Sequence, residues 1–125
     1  MAHQTTGHRP GLPDSPHTEN DAPSALCPVE VTLTALRGRW TTLVVRELLR
    51  GPCSFSELAG RLPVLSDKVL ADRLSHLVEH GIVRRERVKA FPPRVGYALT
   101  EAGTALGPVL QAMWDWGQDH GRPSA

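Results

Sequence analysis

Two cysteines are the most reactive side chains that this sequence offers. Cys27 stands directly before Pro28, where a helix is expected to begin, and Cys53 follows the helix-stopping pair Gly51-Pro52. A thiol at a helix N-terminus meets unpaired N–H groups and the positive end of the helix dipole, which favour the reactive thiolate. Cys27 is therefore the first candidate for reaction with oxidants or electrophiles, and a small buried apolar residue is the alternative.

Cys53 is the second candidate. A disulfide between Cys27 and Cys53 stays open, and it would require that the two Cα atoms lie within about 7 Å. Two cysteines are too few for a disulfide framework or a zinc site built on thiolates. This cysteine usage predicts the reducing environment of the cytoplasm.

A second cluster, at residues 76–80, has the pattern H-x-x-E-H. In inverzincin peptidases this pattern supplies two histidines that hold zinc and a glutamate that activates water. The motif ends beside Gly81, where the helix is expected to stop, and a catalytic zinc site needs a third protein ligand. A zinc peptidase built on His76, Glu79 and His80 is therefore only a remote alternative. The sequence predicts no metal, no cofactor and no enzyme activity.

A third cluster is basic and consists of Arg84, Arg85, Arg87, Lys89 and Arg94. The pair Pro92-Pro93 stiffens the chain just before Arg94. An arginine on a stiff loop suits a narrow minor groove of DNA, where the negative potential is enhanced. This cluster therefore points to nucleic-acid binding.

The elements that must position these residues follow from apolar spacing and helix caps. Helices are predicted from Pro28, from near Trp40, after Ser54 and after Ser66, with Glu57 completing a capping box. Residues 82–89 and 95–99 predict two strands, and a last helix is predicted after Thr100. The fold class is therefore mainly α with a small β-hairpin (α+β). The third and fourth helices would form a helix-turn-helix, and the hairpin would be the wing.

The fourth helix would lie in the major groove of DNA, with its apolar stripe turned to the core. Its candidate DNA-binding residues are Ser66, Lys68, Val69, Asp72, Arg73, Ser75 and His76, to which the wing adds Arg94. A solvated helix face of mixed charge is the alternative for the helix residues.

The composition fits one small domain. The chain has 125 residues and a net charge of +1, which excludes a strongly basic histone-like protein and an acidic disordered chain. Residues 1–25 are rich in proline, so a disordered tail is predicted there. The folded domain is predicted over residues 26–120, and a flexible end over residues 121–125. No run is apolar enough to span a membrane and no secretory leader is seen, so a cytoplasmic protein is predicted.

Several short segments resemble the HxlR-type family of bacterial winged-helix transcriptional regulators. They are CPVE at 27–30, RGRWT at 37–41, LLRGP at 48–52, FSEL at 55–58, SDKVL at 66–70 and PPRVGYALT at 92–100. Each piece alone is weak, but their order and spacing together are specific.

The resemblance implies a homodimer on a roughly palindromic DNA operator, with the first and last helices as dimerisation helices. Met113, Trp114 and Trp116 are then candidate interface residues, since methionine and aromatic residues are enriched at interfaces. The alternative is that these three residues close the core of a single chain. The resemblance also implies a response to oxidants, quinones or aldehydes through a cysteine at the start of the first helix, the position of Cys27.

The sequence therefore predicts a sequence-specific transcriptional regulator that acts as a repressor. Its DNA binding would be modulated by oxidants or electrophiles at Cys27, or by a small-molecule effector. A winged helix used only for protein–protein contact is the main alternative.

Overall fold

The computed structural model describes residues 26–88 and 94–122. Its elements, in chain order, are α1 Pro28–Ala35, α2 Thr41–Leu48, β1 Cys53–Ser54, α3 Phe55–Arg61, α4 Asp67–Glu79, β2 Val83–Val88, β3 Arg94–Leu99, α5 Glu101–Thr104 and α6 Gly107–His120. The predicted tail, Lys89 and the pair Pro92-Pro93 lie outside the described residues. This order is the predicted helical protein with a small antiparallel sheet.

The chain divides between Arg37 and Gly38 into two units. In the first unit, α1 begins as predicted, with Cys27 at its N-cap and Pro28 in its first turn. A proline there loses no hydrogen bond, because the first N–H groups of a helix have no partner within it. None of the residues of α1 is buried, and Val29 and Leu33 are exposed.

The core of the second unit is formed by leucines and valines from α2, α3 and α4. Its largest fully buried side chains are Val44, Val45, Leu58, Leu70, Leu74, Leu77 and Val83, with Thr41 beside them. Leu70, Leu74 and Leu77 recur at helical spacing, so one stripe of α4 faces inward. The helix that carries the candidate DNA-binding residues is thereby fixed along its inner face.

The helices of the helix-turn-helix begin at the predicted caps. Ser54 Oγ accepts from the Glu57 backbone N–H (3.1 Å), and Glu57 Oε1 accepts from the Ser54 N–H (2.8 Å). These two bonds form the predicted capping box at the start of α3. At the start of α4, Ser66 Oγ accepts from the Val69 N–H (3.1 Å).

The sheet contains a short strand that the sequence did not predict. The strand order is β1-β3-β2, with both neighbouring pairs antiparallel. In β1, Cys53 pairs with Tyr97 and Ser54 with Gly96. Two residues directly before a helix are too short to show the alternation by which a strand is recognised.

The sequence predicts a single closing helix, whereas the structure has two, α5 and α6. The first begins with the predicted cap, since Thr100 Oγ1 accepts from the Gly103 N–H (3.1 Å), but α5 ends at Thr104. Pro108 has no N–H for the Thr104 carbonyl, and it stands in the first turn of the new helix α6. The second helix then continues past Gly117 to His120. Among the described residues, the structure shows no helix long and apolar enough to cross a membrane.

Candidate nucleic-acid interface

The outer face of α4 carries the predicted polar residues. Lys68, Asp72 and Ser75 are exposed, and Val69 and His76 are half-buried at the edges of that face. On the opposite side, Leu70, Leu74 and Leu77 are at most 1% exposed. We call the exposed side, from Ser66 to His76, the outer face. It combines hydrogen-bond donors, acceptors and one apolar group, which is the set that reads base edges in a major groove.

Ser66 has a structural role in addition to its predicted one. Its Oγ accepts from the Val69 N–H, so the oxygen caps the helix. The hydroxyl group keeps its own proton to donate, and a helix N-terminus attracts the negative charge of a phosphate. Ser66 therefore caps α4, and its exposed side chain lies at a helix end that suits an anion.

Arg73 is tied to the chain around it. Its Nε donates to the Arg39 carbonyl (2.8 Å), and its Nη1 pairs with Asp72 Oδ2 (2.6 Å). Gly38 has a φ of +105°, and a Cβ added there would lie 3.0 Å from Arg73 Nε. In the turn before α2, Gly38 therefore leaves room for the Arg73 guanidinium, and the Arg39 carbonyl binds it. Arg73 positions α4, a role that sequence reasoning missed because its partner Arg39 lies far away along the chain.

The basic cluster on the hairpin is divided by strand alternation. Arg85 and Arg87 share one face of β2, and the guanidinium of Arg85 lies 5.8 Å from the centre of the Tyr97 ring. On the other face, Arg84 pairs with Glu86 (3.5 Å) and donates to the Leu99 carbonyl (3.2 Å). All three arginines are exposed, as is Arg94 at the start of β3. The hairpin therefore presents positive charge on both faces.

Cys53 lies in a setting that suppresses reactivity. It is 3% exposed, and Arg61 Nη1 donates to its Sγ (3.0 Å). Burial raises the pKa of the Cys53 thiol, although the charge of Arg61 opposes this effect. Since the thiolate is the reacting species, the fold protects this thiol. Cys27, by contrast, is half-buried.

Beside Cys53 is a cavity of about 110 Å³, lined in part by Glu57, Glu86 and Arg94. Glu57 accepts the capping-box bond from Ser54, and this bond lowers the pKa of its carboxyl group. One of the charged residues that line the cavity, Glu57, is therefore already engaged in capping α3.

The candidate dimer residues are exposed on α6. Met113, Trp114 and Trp116 are between 50% and 65% exposed. The guanidinium of Arg46 on α2 lies 4.8 Å from the Trp114 ring centre, and the groove between α2 and α6 there holds about 220 Å³. Within this chain, the alternative that the three residues close the core is wrong. The reason is that α6 contacts the rest of the second unit mainly through α2, and all three side chains stay at least half exposed.

The H-x-x-E-H cluster falls on the last turn of α4. His76 and Glu79 lie within the helix and His80 is its C-cap residue. One potential ligand atom from each of the three lies within 4.8 Å of the others. The spacing expected from the sequence is therefore present in the structure.

The α3–α4 pair, followed by the basic β2–β3 hairpin, defines a winged helix-turn-helix, the class of DNA-binding transcriptional regulators. A family model described as HxlR-like helix-turn-helix matches residues 35–125, and the chain belongs to this family. The family confirms the resemblance found in the sequence, and it makes the chain a helix-turn-helix transcriptional regulator.

Individual relatives are similar over most of their length. The uncharacterized HTH-type transcriptional regulator YvaP of Bacillus subtilis is 39% identical, over 81% of this chain and 94% of that protein. The reduced form of the transcriptional regulator YodB from B. subtilis is 37% identical with a TM-score of 0.70, over 80% of this chain and 99% of that one. The redox regulator HypR in its oxidized form is 35% identical with a TM-score of 0.69, over 78% of this chain and 100% of that one. Structures of YodB after diamide treatment and with bound quinone are also similar to this chain.

Proposed function

We propose that this regulator is a homodimeric repressor that binds a roughly palindromic operator. The outer face of α4 enters the major groove, where Lys68, Val69 and Ser75 contact base edges or phosphates. Asp72 and His76 border this contact. The observation that carries the proposal is that α4 buries one complete apolar stripe and exposes a polar one, directly beside an arginine-rich hairpin.

The wing contributes binding strength more than sequence preference. Arg94 is exposed at the beginning of β3, so its guanidinium is available to a minor groove or a phosphate. Contacts of this kind fix the register of a protein on DNA without reading the sequence directly. Arg73, held by Arg39, orients α4 rather than reading a base.

A second copy of the chain covers the apolar face of α6. Val109, Met113 and Trp116 recur at helical spacing and are all exposed, which is unusual for residues of this size in a monomer. A dimer places two recognition helices about 34 Å apart, one turn of DNA. Each α4 then reads one half of the operator.

Cys27 is the proposed sensor. It is the accessible thiol of the two, since Cys53 is buried and its pKa is raised. Of the regulators similar to this chain, YodB was solved in reduced and diamide-treated forms, and HypR in reduced and oxidized forms. Modification of Cys27 at the start of α1 would shift the population of dimers competent to bind DNA. A small molecule in the groove between α2 and α6 is the alternative effector.

A gel-shift experiment tests the DNA proposal. The probe is the DNA upstream of the protein's own gene and its neighbours, at rising salt. We expect Lys68→Ala to weaken binding by about 1–3 kcal/mol and Arg94→Ala to weaken it with less change in sequence preference. Arg122→Ala, which removes an exposed charge beyond α6, is the matched control. Equal binding by all of these variants, or no binding at low salt, contradicts the proposal and favours a protein-contact module.

The same experiment with oxidised protein tests the sensor. Wild-type protein is expected to lose binding after mild oxidation, Cys53→Ser to behave like wild type, and Cys27→Ser to keep binding. If Cys27→Ser still loses binding, Cys53 or a non-covalent ligand is the sensor.

A further inference from the structure

The last turn of α4 brings together two imidazoles and one carboxylate that no role described above requires as a set. His76 and His80 are one helical turn apart, and their ring centres lie 4.3 Å from each other. Glu79 lies between them in sequence, and the ligand atoms of all three are within 4.8 Å. We infer that His76, Glu79 and His80 form a binding site for a divalent transition-metal ion such as Zn²⁺ or Ni²⁺.

The distances suit one small ion. Ligand atoms bound tetrahedrally to zinc lie about 2.0–2.2 Å from the metal, and therefore about 3.3–3.6 Å from each other. The donors within 4.8 Å need to approach by little more than 1 Å. Glu79 and His80 are exposed, so their side chains can rotate, whereas half-buried His76 moves less. His76 thus supplies the fixed ligand toward which the other two close.

The donor set selects the class of metal. Imidazole nitrogen suits zinc, copper and nickel, while calcium and magnesium require mainly oxygen ligands. Only one of the three side chains offers oxygen. The site also lies at the C-terminus of a helix, where the partial negative charge of the dipole favours a cation. Three protein ligands leave the fourth position of a tetrahedral ion to water.

The inferred site binds metal without peptidase chemistry. In the H-x-x-E-H peptidases the glutamate is a base rather than a ligand, and a third protein ligand completes the zinc site. Here Glu79 itself is the third ligand, so it is not available to activate water. The inference does not depend on the proposed DNA binding, because it can be measured without DNA.

The test is a Zn²⁺ titration of the full-length reduced protein, followed by ¹H–¹⁵N NMR spectra and by competition with a chromophoric chelator. We expect the amide shifts to concentrate at residues 76–82. The dissociation constant should rise at least about 10-fold in His80→Ala and in His76→Ala, and less in Glu79→Gln. Urea unfolding verifies that each variant is folded, and exposed His80 is the substitution least expected to disturb α4.

The matched control is His120→Ala, which also removes an exposed histidine from the C-terminal end of a helix. It leaves all other histidines and both thiols in place, so it should bind zinc as wild type does. An unchanged dissociation constant in the His76→Ala/His80→Ala double variant would overturn the inference. Shifts confined to His3, His8 and His17 would overturn it as well.

Discussion

Helices α4 and α6 are similar in length and opposite in how they use their apolar residues. In α4 (Asp67–Glu79), Leu70, Leu74 and Leu77 are buried within one chain. In α6 (Gly107–His120) no residue is buried, although Met113, Trp114 and Trp116 are large and apolar. Apolar spacing identifies which face of a helix is hydrophobic, but it does not say whether that face packs inside the chain or against a second copy.

The largest expected effect is a difference in folding stability between core substitutions in α4 and surface substitutions in α6. Leu77→Ala should lower the free energy of unfolding by about 2–5 kcal/mol, because it leaves a cavity in a packed core. Met113→Ala, on α6, should change it by no more than about 0.5 kcal/mol when measured in dilute solution. Urea denaturation measures both. Equal losses would mean that α6 is packed within the chain, and the comparison would fail.

Self-association should show the reverse ranking. Trp116→Ala should weaken the dimer by about 2 kcal/mol, or about 30-fold in dissociation constant, as expected for a buried aromatic at an interface. Sedimentation velocity over a range of concentrations measures this constant. Gln118→Ala, on the opposite side of α6, is the control and should have little effect. A wild-type protein that is monomeric at all concentrations would contradict the proposed dimer.

Helices α4 and α6 also differ in how their N-termini are capped, and removing the cap should have a smaller effect on stability. Ser66 caps α4, whereas α6 begins without a side-chain cap. Ser66→Ala should therefore cost about 1 kcal/mol of stability, since it leaves the Val69 N–H without its acceptor. Ser75→Ala removes a hydroxyl from the same helix without touching a cap, and should cost less. A thermal melt of both variants is sufficient, and equal losses would show that the cap does not stabilise α4.

The smallest effect tests the space around α6. A Cβ added at Gly117 meets no atom within 4 Å, and the same is true of Gly60 in α3. Alanine at either position should raise stability by about 0.5–1 kcal/mol, because it restricts the unfolded chain. Chemical denaturation in dilute solution compares the two. A gain at Gly60 with a loss at Gly117 would show that α6 is covered more closely than the single chain indicates.

The parts of the fold predicted correctly rest on partners close in sequence. Ser54 with Glu57 and Ser66 with Val69 are three residues apart, so helix starts were visible in the sequence. The break before α6 was missed, although Pro108 explains it, because the apolar spacing continues across it.

The candidate site follows the same rule. The outer face of α4 was predicted from helical periodicity alone, because exposure is set by the buried leucines of the same helix. The contact between Arg73 and Arg39 depends on folding of the whole second unit, and no local pattern marks it. The exposure of Trp116 likewise depends on the tertiary fold, because an apolar residue in a helix can be recognised from the sequence but its packing partners cannot.

The bond from Arg73 to the Arg39 carbonyl bears on how the operator preference of this regulator can change. Since this bond orients α4 from outside the helix, the direction of the recognition helix does not depend on Lys68 or Ser75. Those two exposed positions can be exchanged for other side chains while the angle of approach to DNA is retained. Under the proposed DNA contact, single substitutions at these positions are expected to change the preferred operator sequence, whereas a change at Arg73 is expected to alter every contact of α4 at once.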